Sequence, residues 1–456
     1  MPIPRGSGAL ITPSQDLSET VYDLVGIGFG PSNLALAVAV DEHNRRAGGR
    51  PVRSMFFEKQ PSFGWHRGML IDDATMQVSF LKDLVTMRDP ASDFSFLCYL
   101  KHRDRLADFI NHKTLFPLRA EFHGYFEWAA ARVAGQVSYG AEVISVRPVE
   151  VNGAVAWLEV IARTPDDPDR LVACRARNVV VAAGLEPKLP VEAVLSDRVW
   201  HNLDLMHRVD DLVDTGARRV LVVGAGQSGA EAVAHLHARL PQAEVYAVFA
   251  RYGYAPADDS PFANRIFDPA AVDHYFDAPA DVQRMLFDYH RNTNYSVVDI
   301  DLIEDLYHRV YRERVHGRQR LHIRNASRVT STQETPEGVV VTVEFLPTGK
   351  TETLRCDALV YATGYQPVDT IRLLGDAGSL CQQDPDGRPV LTRDYRVRTA
   401  PQVSTGIYLQ GGTEHSHGIT ASLQSNTAIR VGEILASILT HGCAADLPAP
   451  AFAANI

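Results

Sequence analysis

Two stretches combine glycine with a helix start in a way that serves phosphate chemistry. VGIGFGPSNLALAVAV, at 25–40, places Gly26, Gly28 and Gly30 ahead of Pro31 and Ser32. RRVLVVGAGQSGAEAVAHL, at 218–236, places Gly224, Gly226 and Gly229 around Ala225, Gln227 and Ser228. A buried strand avoids Gly and a helix interior avoids Pro, so each run reads as strand, tight turn and helix N-terminus. In such a motif the first Gly permits the turn and the second lets backbone approach a pyrophosphate. The helix N–H groups then favour the phosphate charge. One motif is a weak signal, because a plain tight turn asks for the same residues.

Two coupled motifs are a stronger one. Each has a distant matching end, ARNVVVAAGLEPKLP (176–190) for the first and CDALVYATGYQPVD (356–369) for the second. Alternating strands precede both ends, at 143–148 and 155–161 and again at 321–330 and 338–346. The expected fold is α/β, with two Rossmann-like dinucleotide-binding units, the second inserted into the first. The units differ where a ribose would lie. SMFFEK ends in Glu58, an acceptor for a ribose diol, whereas EVYAVFAR ends in Arg251, which suits a 2′-phosphate. That asymmetry assigns NADPH to the second unit and FAD to the first. A solvated surface arginine is the plainer alternative at 251.

Composition narrows the class. The chain has 456 residues, 45% of them hydrophobic, and a formal charge of -10, which argues against a nucleic-acid partner. Its five cysteines are widely spaced with no C-x-x-C, as in a reduced cytoplasmic protein without a zinc site or a redox disulfide. No apolar run approaches ~18 residues, so no membrane span is expected. The expected organisation is a mobile leader at 1–20, the first part of the FAD unit at 21–206 and the NADPH unit at 207–364. Within the latter a helical insertion at about 257–316 supplies a substrate wall. The FAD unit resumes at 365–441, and 442–456 is a tail.

Further residues have chemistry-bearing types. Lys82 is the one cation of the apolar run SFLKDL and a candidate point charge for a carboxylate, although most lone lysines are solvated. Asn264 follows DDSPF, where Ser260 is expected to cap a helix with Pro261 at its first position. Asp258 and Asp259 then belong to turn chemistry. His415 and His417 lack a third ligand at metal spacing, so no metal is expected. The aromatic set Tyr275, Phe276, Phe287, Tyr289, Tyr307 and Tyr311 reads as core of the helical insertion.

Three long stretches, FGWHRGMLIDDATMQVSFLKDLVTMRDPASDFSFLCYL (63–100), YAPADDSPFANRIFDP (254–269) and HRNTNYSVVD (290–299), resemble the microbial amino-acid N-hydroxylases. The closer resemblance is to the L-ornithine N5-monooxygenases of siderophore and related peptide biosynthesis, with lysine N6-hydroxylases as neighbours. ATGY (362–365) and GTEHSHGITASLQS (412–425) extend it. The resemblance implies NADPH-driven hydroxylation of the ornithine terminal amine by O2 through a C4a-hydroperoxyflavin, in a cytoplasmic homotetramer. It implies FAD along Gly26–Gly30, Pro31 and Ser32, at Glu58, Lys59, Gln60, Trp65, His66 and Gln77, and at the backbone of Val143. The N-terminus of a helix opening at Ser422, Leu423 and Gln424 would face the flavin. NADPH would use Gly224, Ala225, Gly226, Gln227, Ser228, Arg251, Asn294, Tyr295 and Ser296. Ornithine would take Lys82, Asn264 and Ser425, and Asn294 with Lys82 would carry the catalytic support.

Overall fold

The first strand, Val21–Ile27, is buried along almost its whole length because it lies between parallel neighbours with both faces covered. A computed structural model describes residues 21–46, 48, 50–164 and 167–442. The expected leader, and all of the expected tail except Gly442, lie outside them. Helix Pro31–Arg46 follows the first turn with Pro in its first position and His43, Arg45 and Arg46 in its last turn, where cations complement the helix dipole.

The first sheet runs in the order Val137–Tyr139, Ser54–Glu58, Val21–Ile27, Asp167–Val181, Ala154–Thr164, Glu142–Val151. The last two pair antiparallel, as the alternating pattern at 143–148 and 155–161 leads one to expect. Gly406–Leu409 returns from far along the chain to pair parallel with the end of Asp167–Val181. One face of this sheet packs on helices Pro31–Arg46, Arg119–Arg132 and Thr427–His441.

A second, wholly parallel sheet has the order Leu321–Arg324, Glu244–Val248, Arg219–Val223, Ala358–Tyr361, Val199–His201. It therefore takes in a strand upstream of residue 207. The expected strand at 321–330 is two elements: Leu321–Arg324 joins this sheet, while Ser327–Thr335 turns into an antiparallel trio with Gly338–Phe345 and Lys350–Cys356. Ala326, with φ 46, makes the break between them. The chain passes between the sheets twice, and the two passages pair with each other as Leu185–Pro187 and Tyr365–Pro367. This is a two-Rossmann α/β fold with the second unit inserted into the first. Helices Pro269–Phe276, Ala280–His290 and Ile300–Val315 lie within the helical insertion expected at about 257–316.

Part of the aromatic expectation fails. Tyr275 is buried, but Tyr289, Tyr307 and Tyr311 are exposed. Among the described residues no helix is long and apolar enough to cross a membrane.

Candidate nucleotide and substrate site

Both Gly-rich turns are closed by the same device. Gly28 has φ +81, and a Cβ there would lie 2.4 Å from the Ala182 carbonyl oxygen. Gly224 has φ +146, and its Cβ would lie 2.1 Å from the Ala362 carbonyl oxygen. Each turn is thus pressed onto the end of its distant partner strand, which is why the two motifs come with matching ends. The amides agree: Ala182 N–H donates to Ile27 O and Ala362 N–H to Val223 O, both at 2.8 Å. Gly30 is different. Among the described residues a Cβ there would meet nothing within 4 Å, leaving open space at the helix start where a phosphate could approach. The first turn therefore fits an FAD pyrophosphate, and the space beside Gly226, where among the described residues only Ser296 Cα approaches, at 3.5 Å, fits that of NADPH.

Behind the first turn lies a polar lattice that the sequence reading did not single out. Asn33 Nδ2 donates to Gly28 O at 2.7 Å, and Gln410 Nε2 donates to Asn33 Oδ1 at 2.9 Å. Arg430, 1% exposed, donates to Ser32 Oγ at 3.1 Å, to Thr427 Oγ1 at 3.1 Å and to the Ala421 carbonyl. Burial pulls its pKa below the usual arginine range. Its signal in the sequence was the same as that of Lys82, a lone cation in an apolar run.

Glu58 is buried at the tip of its strand and accepts from Phe29 N–H at 2.6 Å and Gln60 N–H at 2.8 Å. Each oxygen keeps a further lone pair for a ribose hydroxyl. Lys59 and Gln77 are exposed, and Trp65 is half-buried. Exposed His66 has left-handed backbone (φ 50), with its ring edge-on to Trp65 at 4.7 Å and to Tyr365 at 6.4 Å. Val143 is buried beside a bulge between Val143 and Ser145, which frees backbone from the ladder there. The expectation of a helix opening at Ser422 is corrected. Ile419–Ser422 and Gln424–Asn426 are 3-10 turns, and the α-helix begins at Thr427. Among the described residues Gln424 Nε2 is buried there without a partner, a donor available to a flavin edge.

On the second unit, Gln227 and Ser228 open helix Gln227–Arg239. Gln227 bonds Glu231 at 2.9 Å and accepts from Asp299 N–H at 2.8 Å, so this helix start is tied to the exit of the insertion. Arg251 donates to Ser296 O at 2.8 Å, and Ser296 is left-handed with φ 56. Arg251, Ser296 and Gly226 are thereby brought together from three parts of the chain. Glu231 also forms a two-pronged ion pair with Arg119 at 2.7 and 2.9 Å, joining the helices of the two units. No sequence signal marked that pair, whose members lie 112 residues apart.

Two of the substrate candidates, Lys82 and Asn264, lie at one turn of the insertion. Lys82 Nζ lies 5.5 Å from the centre of the Phe267 ring and forms no ion pair among the described residues. Burial lowers its pKa, opposed by nearby Asp268. Asn264 Nδ2 donates to Asp259 O at 2.6 Å, leaving its side-chain oxygen for a ligand. The expected Ser260 cap is corrected: Asn264 N–H goes to the Ser260 carbonyl, Asp258 accepts from Ser260 N–H, and the following 3-10 turn, Ala263–Phe267, starts after Phe262 without a side-chain cap. Thr420 Oγ1 donates to Ile266 O at 2.5 Å, pinning this turn to the 419–422 segment. Ser425 is buried in the next turn and bonds neither Lys82 nor Asn264 among the described residues. Asn294 is exposed at the end of a 3-10 turn, and nothing places it beside Lys82. Its neighbour Tyr295 donates to Glu414, a carboxyl whose pKa burial raises. His415 and His417 spend a ring nitrogen each on the Pro389 and Arg393 carbonyls. Among the described residues no cluster of three His, Cys, Asp or Glu could hold a metal.

Comparison with known proteins falls on the same chemistry. The model of a family described as L-lysine 6-monooxygenase/L-ornithine 5-monooxygenase matches residues 20–367. The L-ornithine N(5)-monooxygenase of Burkholderia cepacia is 42% identical over 407 residues, covering 88% of this chain and 90% of that protein. The solved ornithine N-hydroxylase of Kutzneria sp. 744, with reduced FAD, NADP+ and L-ornithine, is 45% identical with a TM-score of 0.88. That match covers 92% of this chain and 99% of the other. The L-lysine 6-monooxygenase of Pseudomonas syringae is 31% identical with a TM-score of 0.80, over 92% and 99% of the two chains.

Proposed function

We infer that this chain, which belongs to the L-lysine 6-monooxygenase/L-ornithine 5-monooxygenase family, is an FAD- and NADPH-dependent L-ornithine N5-monooxygenase. It takes L-ornithine and O2 to N5-hydroxyornithine, for siderophore or related peptide assembly. One observation carries the substrate half of this reading. A half-buried ammonium that forms no ion pair among the described residues, Lys82, stands over Phe267 in the turn that holds Asn264, with Asp268 close by. Such a cation is an anchor for the α-carboxylate of an amino acid.

FAD, reduced by NADPH when both are bound, supplies the oxygen-activating chemistry. The protein binds, orients and keeps water out. Lys82 holds the carboxylate, and the Asn264 side-chain oxygen and the Ser425 hydroxyl take the polar groups beside it. Arg251 retains guanidinium donors for a 2′-phosphate after binding Ser296 O. Asn294, exposed beside Ser296, supports the nicotinamide end with an amide donor and acceptor. The terminal amine of ornithine must be neutral to react, yet a free alkylamine titrates near about 10.4. Desolvation of the amine in the closed site would lower that value. The chain works in the cytoplasm as a homo-oligomer, a tetramer. Four described cysteines are unpaired, which supports a reducing compartment.

Lysine is the second reading, favoured by the Pseudomonas syringae relative, and it differs from ornithine by one methylene, worth only about 1–3 kcal/mol in a pocket. Mass spectrometry of products from ornithine, lysine and shorter diamines, with the FAD-loaded protein, NADPH and O2, tests the reading. N5-hydroxyornithine formed in step with NADPH use is expected. A preference for lysine overturns the substrate, and oxygen transfer to sulfur or carbon substrates alone overturns the reaction class. A flavin that NADPH fails to bleach would mark a nucleotide-binding protein without catalysis.

A further inference from the structure

Helix Ile300–Val315, IDLIEDLYHRVYRERV, leads out of the insertion. Its inner side packs on the second sheet through Leu302, Ile303, Leu306 and Val310. At about 3.6 residues per turn, Ile300, Glu304, Tyr307, Tyr311, Arg314 and Val315 fall within an arc of roughly 100°, centred about 120° around the helix from that inner side. That arc is bare: Tyr307 is 71% exposed, Val315 64%, Tyr311 63% and Ile300 52%. A stripe of aromatic and aliphatic side chains left open along one helix marks a surface that something covers.

The charges say what covers it. Asp301, Glu304 and Asp305 lie in the first half of the helix, and Arg309, Arg312 and Arg314 in the second, whose one acid, Glu313, is taken up by His237 and Arg320. Asp305 and Arg309 pair within the helix at 2.7 Å, but Glu304 and Arg314 form no ion pair among the described residues. A helix acidic at one end, basic at the other and aromatic between them is complementary to its own copy run antiparallel. A two-fold axis across this stripe, at the level of residue 309 along the helix, sets Tyr307 opposite the Tyr311 of a second copy and Glu304 opposite its Arg314. Symmetry makes each pair twice. A uniformly acidic or basic partner would match only half the stripe.

We propose that the exposed face of helix 300–315 is an isologous contact between two copies of this chain. The proposal rests on the homo-oligomer reading above and locates one of its surfaces. Two 16-residue helices cover less than the roughly 1,200–2,000 Å² of a standard interface, so this contact is weak by itself and sensitive to salt.

Sedimentation velocity on the full, FAD-loaded chain from about 1 to about 50 micromolar tests it. The wild type is expected to self-associate. Glu304→Arg and Arg314→Glu, each alone, set like charges opposite one another and should raise the dissociation constant at least about tenfold. An equimolar mixture of these two variants should associate again, because both pairs are then of opposite sign. The double variant Glu304→Arg/Arg314→Glu should associate for the same reason. Tyr307→Ser with Tyr311→Ser should dissociate the dimer while FAD content and melting temperature stay near wild type. If neither charge reversal changes the association, or the mixture fails to restore it, this surface is not the contact, and the homo-oligomer reading stands. A wild type that is monomeric throughout overturns both.

Discussion

The two Gly-rich turns use one closing device and differ in everything around it. In the first, the acidic residue at the tip of the neighbouring strand is part of the turn's own wiring: buried Glu58 accepts from the amides of Phe29 and Gln60. Asn33, Gln410 and Arg430 brace the same turn from behind. In the second, Arg251 is only half-buried and is held by a carbonyl of Ser296, a residue that belongs to the insertion. The first site is built into a core and the second is assembled across a segment boundary. This is the difference expected between a cofactor that stays and one that comes and goes.

The largest effect that would break this comparison is at Gly28. Gly28→Ala forces a Cβ onto the Ala182 carbonyl at a left-handed position, which should cost at least about 2–3 kcal/mol. The protein should purify with little FAD and a lowered melting temperature, read from flavin absorbance and calorimetry. Gly30→Ala is the contrast. With nothing among the described residues within 4 Å of its Cβ, the flavin-free protein should melt as before while FAD affinity falls. An equal loss of flavin-free stability in both variants would show that Gly30 serves packing rather than the phosphate.

Lys82→Ala comes next. Removing a half-buried carboxylate anchor should cost about 2 kcal/mol or more, a roughly 30-fold rise in the apparent KM for ornithine. NADPH oxidation should continue and release hydrogen peroxide, measured by peroxidase-coupled assay. An unchanged ornithine KM would return Lys82 to an ordinary surface lysine.

Arg251→Ala should raise the KM for NADPH about tenfold through a lost charge-assisted contact, and narrow the preference over NADH. FAD content should be unaffected if the second site is separable from the first. The smallest effect is expected at Asn294. Asn294→Ala removes a neutral amide contact of about 0.5–1 kcal/mol, so product formed per NADPH should fall severalfold at most. Coupling that stays at the wild-type ratio would leave Asn294 as a turn residue.

The strand–turn–helix pattern around Gly26–Ser32 and Gly224–Ser228 was legible from residue types, because local sterics and helix-end chemistry dictate it. So was the pairing of each turn with a distant apolar strand, since a parallel strand buried on both faces leaves a continuous run. The motif stretches around Lys82, Asn264 and Asn294 carried the family and with it the fold. Tertiary structure alone decided the rest. It put Ser296 under Arg251 and Phe267 beneath Lys82, drew Arg119 to Glu231, and moved the helix start from Ser422 to Thr427. It also left Tyr307 and Tyr311 bare, where helical spacing suggested core. These are outcomes of which faces meet after the chain has crossed between its two sheets. Periodicity specifies that a helix has an apolar face, whereas only packing specifies what that face meets.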